Sequence, residues 1–310
     1  MHLLVPFAAP LSDAGRQAAA SLVLPRLRAL LSRLQPAGRD DGDDWSYTPP
    51  HERAWARALG WTGGDGLWPW AARQAAVDGL DVAEQAWGLV TPAHWHVGTD
   101  QVSLLDPQLL ALDEAASREC FDAVKDLFTS DGFALHWAAP LRWYVAHPSL
   151  AAMRCASLDR VVGRNVDGWL GSDPAARRIR RMQSEVQMQL YTHPLNDARE
   201  ARGLLPVNSF WLSGCGVTQA DRGPEPRVDM RLRAPALAED WAAWVKAWDT
   251  LDEGPLADAA AHVARGGLLR LTLCGERASV DYTTAPVGFW RGLRSRLQAL
   301  PALQPLLETL

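Results

Sequence analysis

The strongest constraint on the fold comes from the region beyond residue 200, where short apolar runs alternate with a helical segment. Residues 207–213, 227–233 and 268–274 have the length and apolar content of strands, and residues 238–251 have the period of an amphipathic helix. A further apolar run at residues 3–7 predicts a buried first strand. Strands separated by helices pair in parallel, while the helices cover the faces of the sheet. This pattern predicts a three-layer α/β fold with a mixed sheet.

The middle of the chain has a different pattern, because its strand candidates follow one another as hairpins. Residues 87–96 and 101–105 form one candidate pair, and residues 133–137 and 141–145 form a second pair around Ala-Ala-Pro. The two strands of a hairpin are antiparallel. This region therefore predicts an α+β patch built on an antiparallel sheet.

The two patterns divide a chain of 310 residues, 48% of them hydrophobic, which is enough for one large or two modest domains. We assign residues 1–84 and 150–310 to the α/β core and residues 85–149 to an antiparallel α+β insertion. A single continuous domain is the alternative. Residues 290–300 are predicted to form the closing helix of the core.

Charge and apolar content exclude several classes of protein. The net charge of −5 gives no electrostatic footprint for nucleic acid. No apolar stretch approaches the roughly 18 residues that cross a bilayer, and the first residues lack the basic start of a signal peptide. The four cysteines show neither CxxC nor disulfide-framework spacing, which favours a reducing compartment. We expect a cytoplasmic protein that binds neither nucleic acid nor membrane.

The stretch beginning THPLNDARE contains the first group of candidate binding residues. Arg199 and Arg202 lie about one helical turn apart, and Asn196 and Asn208 lie near them in sequence. With His193, these side chains would shape a pocket for a phosphate- or carboxylate-bearing small molecule. The alternative is that the same side chains cap helix ends and tie the loop to the sheet. Both interpretations remain open from the residues alone.

A second candidate is the pair His94 and His96, which would face the same side of a strand and converge on one divalent metal ion. A third ligand would come from His136, Asp100 or His51. Two histidines alone do not define a metal site. The alternative is a hydrogen-bonded pair beside the surface of the antiparallel patch.

A third candidate is the turn Gly214-Cys215-Gly216, which follows a predicted strand. It is similar to an anion-binding loop but lacks both the GxGxxG pattern and a P-loop lysine. Cys215 would act as a nucleophile only beside a base, and the nearest one in sequence is His193.

The stretch that starts at His193 resembles a segment of the archaeal-type cofactor-independent phosphoglycerate mutases. That segment has a His-Pro-x-Asn-x-x-Arg run, then Gly, Pro and Asn, then a Trp-x-x-Gly strand. The matching positions here are His193, Pro194, Asn196, Arg199, Gly203, Pro206, Asn208, Trp211 and Gly214. The whole chain also resembles a bacterial group labelled "phosphoglycerate mutase" or regulatory protein of the regulation-of-pathogenicity-factors E type. The stretches LLVPFAAP, TPPHERA, TPAHWHVG, PLRWY and NSFWLSGCG carry that resemblance.

The resemblance implies a phosphatase-like superfamily whose active members bind two divalent metals through Asp and His after the strands. In this sequence the first strand runs into Ala-Ala-Pro, the last predicted strand runs into Gly-Glu-Arg, and no Asp-His or His-Asp pair occurs. We therefore expect a catalytically degenerate relative without a resident cofactor, which has a regulatory or anion-binding role. One alternative is an active metal-dependent phosphotransferase or hydrolase that uses the two strand histidines. The other is a protein-interaction module that docks a protein partner through exposed members of its fifteen tryptophans.

Overall fold

The structure is a computed structural model that describes residues 1–284 and 303–310. The strands are β1 (His2–Val5), β2 (Leu34–Asp41), β3 (Ala86–Ala93), β4 (Trp95–Val97), β5 (Val102–Leu104), β6 (Ala134–Ala139), β7 (Arg142–Ala146), β8 (Ser209–Val217), β9 (Arg227–Val228), β10 (Arg270–Cys274) and β11 (Ala278–Thr284). The α-helices are α1 (Asp13–Ala20), α2 (Pro25–Leu31), α3 (Pro50–Ala58), α4 (Trp70–Val77), α5 (Glu114–Ser130), α6 (Leu158–Val161), α7 (Pro174–Tyr191), α8 (Pro194–Glu200), α9 (Arg233–Leu237), α10 (Trp241–Leu251), α11 (Ala257–Ala264) and α12 (Leu303–Glu308). The helix predicted at 290–300 lies outside the described residues.

The chain forms two compact units. The first unit consists of Met1–Asp44, Pro49–Trp61 and Asp221–Leu310, and the second unit consists of Trp45–Thr48 and Thr62–Ala220. The segment 85–149, which the sequence sets apart, lies wholly within the second unit. That unit begins earlier in the chain and ends later.

The first unit has the predicted α/β architecture. Its sheet has the strand order β2-β11-β10-β1-β9, in which β1 is parallel to both β9 and β10, and β11 is antiparallel to its neighbours. Leu3 and Val5 of β1 pack with α2 and α10, whereas Leu4 packs with α3 on the opposite face. Successive side chains of a strand point to opposite faces, so β1 lies between two layers of helix. The prediction of an α/β fold with a mixed sheet is confirmed.

The second unit contains the antiparallel sheet. Its strand order is β6-β7-β3-β8, and every neighbouring pair is antiparallel. Side chains of α5 and α7, including Phe128 and Val186, pack on one face. Alanines of α4 pack with Trp87 and Tyr144 in a separate cluster. The predicted hairpin at 133–145 is β6-β7, and β5 pairs with the short strand β4 rather than with β3.

Three elements differ from the sequence-based expectation. β2 lies in a polar stretch without an apolar strand pattern, and it pairs with β11 at the edge of the sheet. The strand expected at 227–233 is reduced to the two residues of β9, and α9 begins at Arg233. Residues 158–169 contain the single turn of α6 and a separate 3₁₀ turn, Val166–Trp169, rather than one continuous helix. Among the described residues, no helix combines the length and apolarity needed to cross a bilayer.

Candidate functional site

Asn196, in the first turn of α8, is buried and uses its whole carboxamide to hold the chain together. Its Nδ2 donates to the carbonyl oxygens of Leu190 at 2.9 Å and Val207 at 2.8 Å. Its Oδ1 accepts the N–H of Val207 at 2.9 Å. The side chain therefore joins the end of α7 to the segment that leads into β8.

Asn208 also joins two segments by hydrogen bonds, at the point where β3 leads into β4. Its Oδ1 accepts the N–H of Trp95 at 2.7 Å, and its Nδ2 donates to the Trp95 carbonyl at 2.9 Å. Its backbone N–H donates to the Ala93 carbonyl at 3.1 Å. The carboxamide thus takes the place of a neighbouring strand residue beside Trp95, and both of its polar atoms are engaged.

Arg199 is 3% exposed, and its guanidinium binds backbone carbonyls rather than a carboxylate. Its Nε donates to the Leu205 carbonyl at 2.9 Å, and a terminal nitrogen donates to the Leu110 carbonyl. No ion pair involves Arg199 in the described part of the chain. Burial lowers the pKa of this guanidinium. Arg199 therefore fastens two loops to α8.

His193 and Arg202 complete the set of predicted binding residues. The Nδ1 of His193 accepts the N–H of Leu195 at 3.3 Å, which makes His193 the N-cap of α8. Arg202 is exposed, and its side chain has no hydrogen bond or ion pair to the rest of the described chain. Of the five predicted residues, Arg202 is the one whose side chain the described fold leaves available to a ligand.

The histidines of the predicted metal pair lie near each other on the second unit. The Nδ1 of His94 donates to the Pro206 carbonyl at 2.9 Å, so the Nε2 of His94 carries the lone pair. The ring centroids of His94 and His96 are 6.5 Å apart, and His96 is exposed. His136 instead stacks on Trp87 at 5.3 Å. No group of three or more His, Cys, Asp or Glu side chains within 1–284 and 303–310 is arranged to hold a metal.

The carboxyl ends of the parallel strands are where an α/β sheet normally binds its ligand. In the first unit, Asp229 follows β9 and is paired through both oxygens with Arg231 at 2.7 and 2.9 Å. Glu276 follows β10 and accepts the N–H of Leu11 at 2.8 Å. Phe7 follows β1. A pair of divalent metals needs several free oxygen or nitrogen donors, and these residues do not fit that requirement.

A bulge in β8 brings two cysteines of the second unit into contact. The pairing of β3 with β8 shifts so that Gly214 and Cys215 together lie opposite Gly88. Gly214 has a φ of +63°, a left-handed conformation that glycine adopts at little cost. At the bulge, the backbone N–H of Cys215 donates to the Sγ of Cys155 at 3.3 Å. Bulges commonly redirect backbone and side-chain groups in this way.

The two thiols of this pair differ in acidity. A hydrogen bond from the Cys215 thiol, with the backbone N–H groups of Cys215 and Gly214, lowers the pKa of Cys155 although burial opposes this. The hydrogen bond to Cys155 and burial both raise the pKa of Cys215. Burial raises the pKa of Cys120 to about 12 and also raises that of Cys274. Cys155 is therefore the thiol whose ionised form its surroundings favour.

Cys155 also lines a small cleft of about 20 Å³ that is partly open to solvent. The same cleft is lined by the indole of Trp211 and by Gln183, which is 4% exposed. The Nε2 of Gln183 donates to the Phe210 carbonyl at 3.1 Å. Its Oε1 is buried and has no hydrogen-bond partner in the described part of the chain. An acidic thiol and an unpaired acceptor therefore line the same cleft.

Of the two cysteines in contact, the sequence indicated Cys215 but not Cys155. The turn Gly214-Cys215-Gly216 stood out because a strand leads into it, but its partner Cys155 lies sixty residues earlier with no local signal. The base expected beside Cys215 was His193, which instead caps α8. A pairing between distant cysteines becomes visible only when the fold brings them together.

Comparison with known proteins gives distant likenesses only. No family model matches the chain, and no curated protein matches it. Among solved structures, the chain is similar to the cofactor-independent phosphoglycerate mutase from Thermoplasma acidophilum DSM 1728, at 15% identity and a TM-score of 0.37, over 92% of this chain and 90% of that one. It is also similar to the PH0037 protein from Pyrococcus horikoshii, at 12% identity and a TM-score of 0.45, over 92% and 88% of the two chains. Neither likeness transfers a residue or an activity to this chain.

Proposed function

We propose that this chain is a catalytically degenerate relative of the cofactor-independent phosphoglycerate mutases and that it has a regulatory role. The observation that carries this proposal is the state of the two carboxylates at the strand ends. Asp229 is held by Arg231, and Glu276 is held by the N–H of Leu11. Neither carboxylate is free to bind a metal without losing the contact that orders its loop.

The chemistry of such a mutase explains why this matters. A divalent metal lowers the pKa of a bound hydroxyl and neutralises the charge of the transferring phosphate. Those two effects need a ligand set that holds the metal beside a nucleophile. Phe7 and the engaged carboxylates Asp229 and Glu276 supply no such set at the described edge of the sheet.

The ligand of a regulatory protein of this kind is proposed to be a phosphate- or carboxylate-bearing small molecule. Arg202 supports this part of the proposal, because its exposed guanidinium has no partner in the described chain. A guanidinium binds phosphate and carboxylate oxygens through two parallel hydrogen bonds. Asn196, Asn208 and Arg199 would support the surrounding loop rather than touch the ligand.

The catalytic part is tested by incubating the purified full-length protein with manganese and either phosphoglycerate. We expect no interconversion above a metal-free control and no manganese-induced rise in Tm. Turnover that a chelator abolishes would refute the degenerate assignment. Asp229→Asn is the matched variant: a metal ligand would lose manganese binding on this change, whereas a loop-ordering residue would lose stability with or without manganese.

The ligand part is tested separately by calorimetric titration with inorganic phosphate. Arg202→Ala should weaken phosphate binding by about tenfold, the effect of losing one charged hydrogen bond. Arg265→Ala is the matched control, because Arg265 is also exposed and without a partner in the described chain. Equal binding by both variants, or no binding by the wild-type protein, would remove the anionic ligand from the proposal.

A metal-dependent phosphotransferase or hydrolase at His94 and His96 is the second candidate function. The observation that favours it is the hydrogen bond from the Nδ1 of His94 to the Pro206 carbonyl at 2.9 Å. Metal-binding histidines are commonly oriented by such a bond on the other ring nitrogen. Any further ligands would come from water or substrate.

A further inference from the structure

The acidic thiol of Cys155 plays no part in the function proposed above, yet its surroundings are those of a reactive cysteine. The thiolate rather than the thiol is the nucleophile, and reactive cysteines lie where donors stabilise the thiolate and small molecules can reach it. Cys155 meets both conditions, because the N–H of Cys215 points at its sulfur and a solvent-open cleft reaches it. Cys120 and Cys274 are fully buried and do not line this cleft.

We propose that Cys155 is a peroxide-reactive cysteine and that Cys215 resolves its oxidised form as an intramolecular disulfide. First, the Cys155 thiolate attacks one oxygen of hydrogen peroxide. The O–O bond breaks, and the other oxygen leaves as hydroxide and takes up a proton. Next, the sulfur of Cys215 attacks the sulfenic sulfur of Cys155, the S–O bond breaks, and the hydroxyl leaves with the Cys215 proton as water. In sum, two thiols and one hydrogen peroxide give one disulfide and two waters.

The cleft has one further feature that suits a small peroxide. The Oε1 of Gln183 is a buried acceptor without a partner in the described chain, and an unpaired buried acceptor favours a ligand that can donate to it. Hydrogen peroxide carries O–H groups at both ends. One O–H can donate to the unpaired acceptor of Gln183, which lines the same cleft as Cys155.

The bulge in β8 explains why Cys215 is the resolving residue. Its backbone N–H already donates a hydrogen bond to the sulfur of Cys155 at 3.3 Å, so the two cysteines are neighbours before oxidation. A Cβ added at Gly88 would come within 3.1 Å of the Cys215 Sγ and 2.7 Å of Leu212. Glycine at position 88 therefore leaves the Cys215 sulfur the room it needs beside β3.

The test begins with the reduced wild-type protein. Full-length protein is treated with equimolar hydrogen peroxide, alkylated, digested and analysed by mass spectrometry. We expect the mass to fall by two hydrogen atoms and one crosslinked peptide pair to join Cys155 to Cys215. Absence of that crosslink, or oxidation of Cys120 and Cys274 to the same extent, overturns the proposal. This measurement needs no substitution, so it does not depend on whether a variant folds.

Three variants separate the two roles. Cys215→Ser should stop the reaction at a sulfenic acid on Cys155, which dimedone labels. Cys155→Ser should abolish both the label and the disulfide, and the matched control Cys120→Ser should form the disulfide as the wild type does. The oxidation rate of Cys155 should also stop rising with pH at a lower pH than that of free cysteine. A dimedone label on another cysteine, or a pH profile like that of free cysteine, overturns the assignment of Cys155 as the attacking thiol.

Discussion

Replacing Asn196 with alanine tests whether the buried polar residues of the α8 region serve the fold. The change removes the two hydrogen bonds that Asn196 donates and the one that it accepts. The Leu190 carbonyl keeps one partner, since it also accepts the N–H of His193 at 3.2 Å. The N–H and carbonyl of Val207 lose their only partner in the described chain. Two buried groups left unpaired at about 1–3 kcal/mol each give an expected loss of about 2–6 kcal/mol.

A loss of that size is large against the 5–15 kcal/mol that typically stabilises a folded protein. Because the two compact units need not unfold together, a global denaturation curve does not by itself show which unit has lost stability. Amide hydrogen exchange of β3 and β8, followed by mass spectrometry, reports on the affected strands directly. We expect the protection of both strands to fall in Asn196→Ala and to stay within about 0.5 kcal/mol of wild type in the exposed control Arg202→Ala.

A second substitution at Asn196 sharpens the test. Asn196→Asp keeps an acceptor for the N–H of Val207. It replaces the Nδ2 group, which donates to two carbonyls, with the second oxygen of a buried carboxylate. Burial raises the pKa of such a carboxyl, and its protonated form can again donate to one carbonyl. The variant should therefore be less stable at pH 8 than at pH 5. The reasoning is refuted if Asn196→Ala leaves exchange unchanged while phosphate binding disappears.

Three further outcomes are expected. The second candidate function predicts that zinc binds one-to-one through His94 and His96 and that its calorimetric signal is lost in His96→Ala; no zinc binding by the wild type, or equal binding by that variant, would exclude the pair. Burial, and secondly the charge of Arg270, lower the pKa of His2 from 6.5 to about 4, so the folded state disfavours the charged ring. Stability from His2 is complete above pH 6.5 and falls toward pH 4, and His2→Gln should flatten that part of the Tm profile. Asp252 accepts two backbone N–H groups at the start of α2, at 3.0 and 2.8 Å. Asp252→Ala should therefore lower the free energy of unfolding of the first unit in urea by about 2 kcal/mol, and Asp252→Asn should lower it less.

The parts of the fold that could be predicted are those whose burial leaves a pattern in the sequence. β1 and β10 are almost wholly buried and rich in leucine, so both stand out in the sequence as strands, although Arg270 and Thr272 interrupt the apolar residues of β10. β2 could not be predicted in the same way, because it lies at the sheet edge and contains Pro36, Gly38 and acidic residues. Edge strands tolerate such residues, since they have only one neighbour to pair with.

The candidate site could be predicted only in part, for a different reason. The spacing of Asn196 and Arg199 indicates that both side chains have a specific task, and either capping or ligand binding satisfies that pattern. Which of the two applies depends on carbonyls far away in the sequence, such as that of Leu110, and on how a loop closes. The contact between Cys155 and Cys215 was beyond prediction for the same reason, because a register shift between two strands creates it.

The order of the strands along the chain has a consequence for how the protein is made. β1 is complete by Val5, yet its neighbours β9 and β10 begin at Arg227 and Arg270. All strands of the second unit lie between β1 and β9 in the sequence, so they are synthesised before β9 and β10. A ribosome-bound chain can therefore complete the antiparallel sheet while β1 is still unpaired. The leucines of β1 stay exposed to solvent until the last third of the chain has been synthesised. Since such distant pairing is slow, β1 is expected to fold late although it is synthesised before its partners, and to be exposed to chaperones until β9 and β10 are available.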